Sequence, residues 1–300
     1  MAPPHQRPVL ALAIRLLAMA LIAGMSALVK LASEAGVHLA EIIFWRQALT
    51  LPLLVGALAA TRHLGQLRTE RIPIHGRRAM LGLIGMFLNL GSVTLLPLAE
   101  ATTLSFVASL FAVMLSTVLL RERVGAIRWL AVALGFAGVI IITSPGHSTL
   151  PALGLATGIG AAFMNALIAI QVRDLGRTER PVTIVFWFSL FSTVLLAAIL
   201  PFVITHHDTR TWLLLAAIGL SGLAGQLALT AALRLGPVSS VIVMDYTSLF
   251  WATLFGWLVW SHLPPASTWA GAPIIIAAGL VIVWRENRLA RTKPIGPVAS

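Results

Sequence analysis

The chain has no cysteine among its 300 residues, which excludes disulfides and thiolate metal sites. Charge is scarce as well. Asp, Glu, Lys and Arg make up 10% of the residues, against about 25% in a soluble domain, and 58% are hydrophobic. A water-soluble fold could not cover that much apolar surface. The apolar runs lack the period-two alternation of a membrane barrel, so spanning strands are excluded too. The phosphate-binding pattern G-x-x-x-x-G-K-[ST] is missing, and ATP is therefore not the expected drive. Polar residues are too sparse within the runs to form the continuous stripe of a passive channel. No metal and no cofactor is expected.

What remains is a set of apolar runs of about 16 to 23 residues, each able to cross the roughly 30 Å hydrocarbon core as a helix. Ten spans can be placed at roughly 10–32, 42–60, 79–96, 101–120, 129–143, 152–171, 182–204, 211–233, 238–260 and 268–284. The expected fold is an all-α polytopic membrane protein. Arg7 followed by the run from Val9 looks like the start of a signal peptide, but the run is long and leads into Lys30 without a clear cleavage site. It reads as an uncleaved first span.

The net charge of +11 belongs to the loops. With the N-terminus in the cytoplasm, the inner segments hold Arg7 and Arg15; Arg62, Arg68, Arg71, Arg77 and Arg78; Arg121, Arg123 and Arg128; Arg173, Arg177 and Arg180; Arg234; and Arg285, Arg288, Arg291 and Lys293. The outer segments hold only Arg210, and Lys30 and Arg46 fall at or within spans. This positive-inside bias favours ten spans with both termini cytoplasmic, and it accounts for the basic charge without nucleic acid.

A stretch of the chain also occurs twice. A shift of 140 residues places Pro97 on Pro237, Phe106 on Tyr246, Phe111 on Trp251, Ala112 on Ala252 and Trp129 on Trp269. Earlier, Met25-Ser26-Ala27-Leu28 echoes Met164-Asn165-Ala166-Leu167, and Phe44-Trp45 echoes Phe186-Trp187. Five spans is an odd number, so the second unit must enter the membrane from the opposite side. Arg121-Glu122-Arg123 then faces the cytoplasm, while its partner Ser261-His262-Leu263 faces out without arginines, as an inverted repeat requires. The expected division is 1–146, 147–285 and a cytoplasmic tail at 286–300, with the junction near Pro145 and Gly146.

On these residues the chain resembles the drug/metabolite transporter superfamily, in particular its EamA-type members with two five-span repeats. The resemblance rests on Phe44-Trp45-Arg46, Leu98-Ala99-Glu100-Ala101, Leu120-Arg121-Glu122-Arg123 and Gly135 to Val139 in the first repeat. In the second it rests on Ala232 to Pro237, Asp245-Tyr246-Thr247-Ser248 and Gly271 to Gly279. Ser109 and Leu249 stand where such proteins often have proline, and His262 where they often have glutamate. The resemblance implies a multi-pass carrier of the cytoplasmic (inner) membrane, working by alternating access. It implies export of amino acids or related small metabolites, with uptake of a compound such as S-adenosylmethionine as the alternative.

A polar group within a span needs a partner or a function. Asp245, about seven residues into the ninth span and beside Tyr246, is either a carboxylate for a substrate amine or proton, or half of an ion pair. On the first reading, Asp245→Asn reduces transport and spares folding. Arg46 and Lys30 lie near outer span ends, where they either snorkel to the interface or bind a substrate carboxylate. Glu41 is expected to pair with one of them, and Glu100 to be a solvated or capping group. Asn89, Asn165 and Gln226 bond between helices or touch substrate. Trp45, Trp187 and Trp251 face lipid or line an apolar pocket. The expected partners are thus a small-molecule substrate and the lipid bilayer.

Gly219-Leu220-Ser221-Gly222 matches the short G-x-S-G motif of an intramembrane serine protease. All eight histidines fall in tails, loops or span ends, so none stands ready to take the serine proton. No catalytic residue is assigned.

Overall fold

Prolines mark where several helices begin. Pro8 and Pro181 open helices, Pro73 sits in the first turn of another, and Pro97 and Pro151 cap two more. The first turn leaves its N–H groups unbonded, so the missing proline N–H costs nothing there. The computed structural model describes residues 8–119, 121, 124–143, 150–176, 178–235, 241 and 243–292. Arg7, Glu122, Arg123, Pro145, Gly146, Arg177, Pro237 and Lys293, with the expected junction at 146–147, lie outside the described residues.

The first half comprises α1 (Pro8–Glu34), α2 (Leu39–Ala60), a 3₁₀ turn (Leu64–Leu67), α3 (Ile72–Leu95), α4 (Leu98–Ser105), α5 (Ala108–Leu119) and α6 (Ala126–Thr143). The second comprises α7 (Ala152–Leu175), α8 (Pro181–Val203), α9 (Thr209–Leu235), a 3₁₀ turn (Met244–Tyr246), α10 (Thr247–Trp260) and α11 (Ala266–Thr292). Among the described residues there is no strand, and nine segments are long and apolar enough to cross a membrane, α4 and α5 counting as one. In each, only 28% to 39% of the most apolar window is buried by protein. Exposed apolar side chains such as Leu130, Leu213 and Phe202 face outward, and this surface suits lipid rather than water.

Helix pairing repeats under exchange of the two halves. α1 packs on α9 as α7 packs on α3; α1 meets α10 as α7 meets α5; α2 meets α9 as α8 meets α3. α2 with α8, α4 with α10 and α6 with α11 pair with their own counterparts. That is the contact pattern of a two-fold relation between the halves. Direction is reversed as well. Gly154 near the start of α7 lies against Leu96 just past the end of α3, while Arg71 just before α3 reaches Asp174 at the end of α7. The fold is therefore two inverted five-span repeats.

Two details sharpen the repeat. The fourth span, expected as one helix, is broken between Ser105 and Ala108, and 140 positions on the 3₁₀ turn Met244–Tyr246 interrupts the approach to α10. Hydroxyls bond back onto nearby carbonyls at both places: Ser105 to Thr102 (2.6 Å), Ser109 to Phe106 (2.8 Å), Thr247 to Met244 (2.6 Å) and Ser248 to Asp245 (2.6 Å). Such bonds compete with the helical ladder and bend it. Phe106 and Tyr246, the two related residues, meet edge to face at 4.9 Å. The second detail is the crossing of α6 and α11. A Cβ on Gly138 would lie 2.9 Å from the Gly271 carbonyl oxygen, and one on Gly271 would lie 2.6 Å from that of Gly138. Only glycine at both positions lets the backbones touch.

Candidate substrate cavity

The helices line a half-open cavity of about 520 Å³ whose wall is supplied by α1, α2, α3, α7, α8 and α9, three from each half. Arg46, Asn89, Asn165 and Gln226, four of the residues singled out in the sequence, meet there. Gln47, Thr50, Arg78 and Ser189 join them, and among the described residues no Asp or Glu does. Met25, Met86 and Phe188 supply apolar wall.

Both cavity arginines are placed by glycine. Arg46 lies on α2 and Gly222 on α9, and a Cβ on Gly222 would stand 3.1 Å from Arg46 Nε. Arg46 Nη1 donates to Met86 Sδ at 3.2 Å. It thus turns inward to the cavity instead of snorkelling to the interface, because α2 begins at Leu39 and carries it about 10 Å along the helix. Arg78 folds back along its own helix, and a Cβ on Gly82 would meet its Nη1. Its guanidinium lies 4.7 Å from the Phe188 ring, and its Nε and Nη1 are buried without a hydrogen-bond partner among the described residues. The sequence placed Arg78 in a loop, because the third span was expected near 79. Pro73 was the missed signal, since proline in the first turn starts α3 at Ile72. A charge at the centre of a span costs about 2.5 to 3.5 kcal/mol on insertion scales, and two arginines about two turns inside their helices, with no carboxylate partner among the described residues, make this cavity the candidate site.

Asp245 and Tyr246 do not line this cavity. Asp245 sits in the 3₁₀ turn before α10, not inside a regular helix, and accepts Arg15 Nε at 2.6 Å and Nη2 at 2.7 Å. Arg15 Nη1 also donates to the Leu229 carbonyl at 3.3 Å. Arg15 was counted as a loop charge. Pro8 starts α1 early enough to carry Arg15 two turns inside, where its side chain is 4% exposed against 37% for Asp245. Tyr246 packs over Gly279 and Phe106.

This ion pair lies at the N-terminal end of the bundle, where other contacts also join the halves. Arg71 pairs with Asp174 at 3.1 Å and donates to Thr178 at 2.6 Å; Thr69 donates to Glu179 at 2.5 Å; Trp187 Nε1 donates to the Leu67 carbonyl at 3.0 Å. At the opposite end Lys30 Nζ donates to the Leu96 carbonyl at 2.7 Å and lies 5.8 Å from the Trp260 ring. It borders a small pocket of about 220 Å³ with Trp260 and His262. Glu41 pairs with neither Lys30 nor Arg46. It is fully buried against His207 Nε2 (2.7 Å) and Trp45 Nε1 (3.3 Å), because the loop before α9 folds over the start of α2. Glu100 is likewise buried rather than solvated, accepting from Thr268 Oγ1 at 3.1 Å where α11 covers the start of α4. Trp251 stacks on Phe255 with ring centroids 6.3 Å apart, away from the cavity. Ser221 donates to its own helix at the Ala217 carbonyl (2.6 Å).

The profile of the EamA-like transporter family matches residues 9–144 and again 152–284. The riboflavin transporter of Vibrio cholerae is 32% identical over 233 residues, covering 76% of this chain and 78% of that protein. The pseudopaline exporter CntI of Pseudomonas aeruginosa is 29% identical over 261 residues, covering 86% and 90%. A crystal structure of a protein at 19% identity superposes with a TM-score of 0.60 over 93% of this chain and 98% of that one, a likeness of fold alone.

Proposed function

The chain belongs to the EamA-like transporter family, a membrane transporter by kinship, and from this we propose a secondary carrier that binds one small metabolite in the central cavity. The observation that carries the reading is the cavity itself, a polar site built equally from both inverted halves. Rocking of one half on the other would expose such a site alternately at each end. The Arg15–Asp245 and Arg71–Asp174 contacts bridge the halves at the N-terminal end, and Glu41–His207 bridges them at the other. These are the contacts that rocking has to break in turn.

The proposed location is the inner membrane with both termini cytoplasmic, and the proposed direction is export. The proposed cargo is an amino acid or a related metabolite. A cavity of about 520 Å³ has room for cargo larger than a small amino acid. The test is counterflow in proteoliposomes loaded with amino acids and related metabolites. Saturable exchange of a labelled compound supports the carrier, and non-saturating flux without counterflow overturns it.

A further inference from the structure

We propose that the central cavity selects organic oxyanions, holding a carboxylate or phosphate group on the guanidinium groups of Arg46 and Arg78. The inference rests on the carrier reading only in treating the bound anion as cargo.

Three observations converge on it. Among the described residues the cavity wall contains these two arginines and no Asp or Glu, so the described wall is net positive. Neither arginine has a carboxylate within ion-pair distance among the described residues. Their present neighbours are poor acceptors: Arg46 donates to a thioether sulfur, and Arg78 lies on a phenyl ring with Nε and Nη1 unbonded. A guanidinium keeps its charge even when buried, and its planar fork matches the two oxygens of a carboxylate or phosphate. Among the described residues no counter-charge faces them, and a bound anion would supply it.

The repeat shows that the site is built for this. The register that places Phe44-Trp45 on Phe186-Trp187 places Arg46 on Phe188. Gly82 and Gly222 are related by the shift of 140, and Phe188 lies on the first as Arg46 lies on the second. One wall position is therefore cationic while its mate is aromatic, and Arg78 rests on that mate. The arrangement offers fixed positive charge beside an aromatic face. An acid attached to a flat or apolar body fits it, and a sulfonium cation or a free amine finds no acid to receive it.

The test uses matched probes on the full chain in detergent and in proteoliposomes. Benzoate is compared with benzamide, succinate with succinamide, and phenyl phosphate with phenol, with benzylamine as the cation. The expected result is thermal stabilisation by the anions at about tenfold lower concentration than by their neutral mates. R46Q and R78Q should abolish the difference, and R46K and R78K should retain part of it. Equal stabilisation by acid and amide, or an anion preference that survives both glutamine variants, overturns the proposal. So does the absence of stabilisation by any anion at millimolar concentration. If a glutamine variant fails to fold, the matched pairs on the unmodified chain and the lysine variants decide the matter. Arginine-dependent anion binding without counterflow overturns the carrier and leaves the anion site standing. Counterflow of a neutral or cationic compound that is indifferent to R46Q and R78Q does the reverse.

Discussion

Replacing Asp245 by Asn tests whether the ion pair at the N-terminal end works as a fastener. Arg15 makes two short bonds to the carboxylate and its side chain is 4% exposed, so the variant leaves a buried guanidinium facing one amide oxygen. Breaking a buried pair by removing one partner costs about 3 to 5 kcal/mol. Asp245 is 37% exposed, so water reaches the orphaned charge in part, and we expect about 2 to 3 kcal/mol, or roughly 30- to 150-fold in the equilibrium that the pair stabilises. The expectation from sequence, that this change spares folding, is thereby revised. Arg15→Gln should cost less, because the orphaned carboxylate is the more exposed partner. The double variant R15Q/D245N should be less damaging than D245N alone, since it removes the charge that D245N strands. The assay is a double-mutant cycle on thermal unfolding in detergent, repeated on counterflow rates. Additivity of the two single effects to within about 0.5 kcal/mol would refute the coupling.

Three further outcomes are expected. Gly271→Ala places a Cβ 2.6 Å from the Gly138 carbonyl oxygen, which cannot rotate away, so it should destabilise by about 1 to 3 kcal/mol in thermal unfolding, whereas Gly65→Ala enters open space and should stay within about 0.5 kcal/mol. Asp208 caps α9 by accepting the Thr211 N–H at 2.9 Å, and its bonds to Thr211 hold its carboxyl below the ordinary carboxylate range. A depressed carboxyl contributes stability above its unfolded pKa and loses it in acid, so Asp208→Ala should lower the melting temperature near neutral pH and converge on the parent below about pH 4. Single cysteines at His262 and Glu122 should react with impermeant reagents from opposite sides of the membrane, His262 from outside; labelling from one side would sink the inverted topology.

Nine of the ten expected spans were legible because lipid demands long apolar runs, the ninth being described only at Val241 and over 243–260, and the repeat was legible in Phe106 and Tyr246, which meet in the structure. Asn89, Asn165 and Gln226 were found because an amide inside an apolar run is conspicuous. Arg78 was missed for the opposite reason. It sits where apolarity fades at a helix start, which hydropathy assigns to a loop, and Pro73 held the correcting signal; Arg15 lies inside the first span at 10–32 but was counted with the inner-segment charges. Asp245 was conspicuous for the right cause, and of its two readings the structure shows the ion pair; its partner could not be named, since it lies 230 positions away and no local pattern announces it. The partner of Glu41 and the burial of Glu100, which keeps its place in the first turn of α4, were missed because sequence does not show which loop or helix folds over a span end.

The departures from symmetry say most about direction. The register that places Met25 on Met164 places Arg15 on Gly154, and the shift of 140 places Asp245 on Ser105. The end that carries Arg15 and Asp245 can form an ion pair, and the related end cannot. There Gly154 lies under Leu96, with a Cβ position only 2.7 Å from its Cδ2, and Ser105 bonds back to its own helix. If backbone symmetry alone set the energies, the two access states of the proposed carrier would be nearly equal. The ion pair adds a term to one of them only. A cysteine placed at Gln226, in the cavity wall, should therefore react at different rates from the two sides in the parent chain. D245N should raise the rate from the N-terminal side by the same factor that it costs in stability, and a change confined to stability would separate the fastener from the gate.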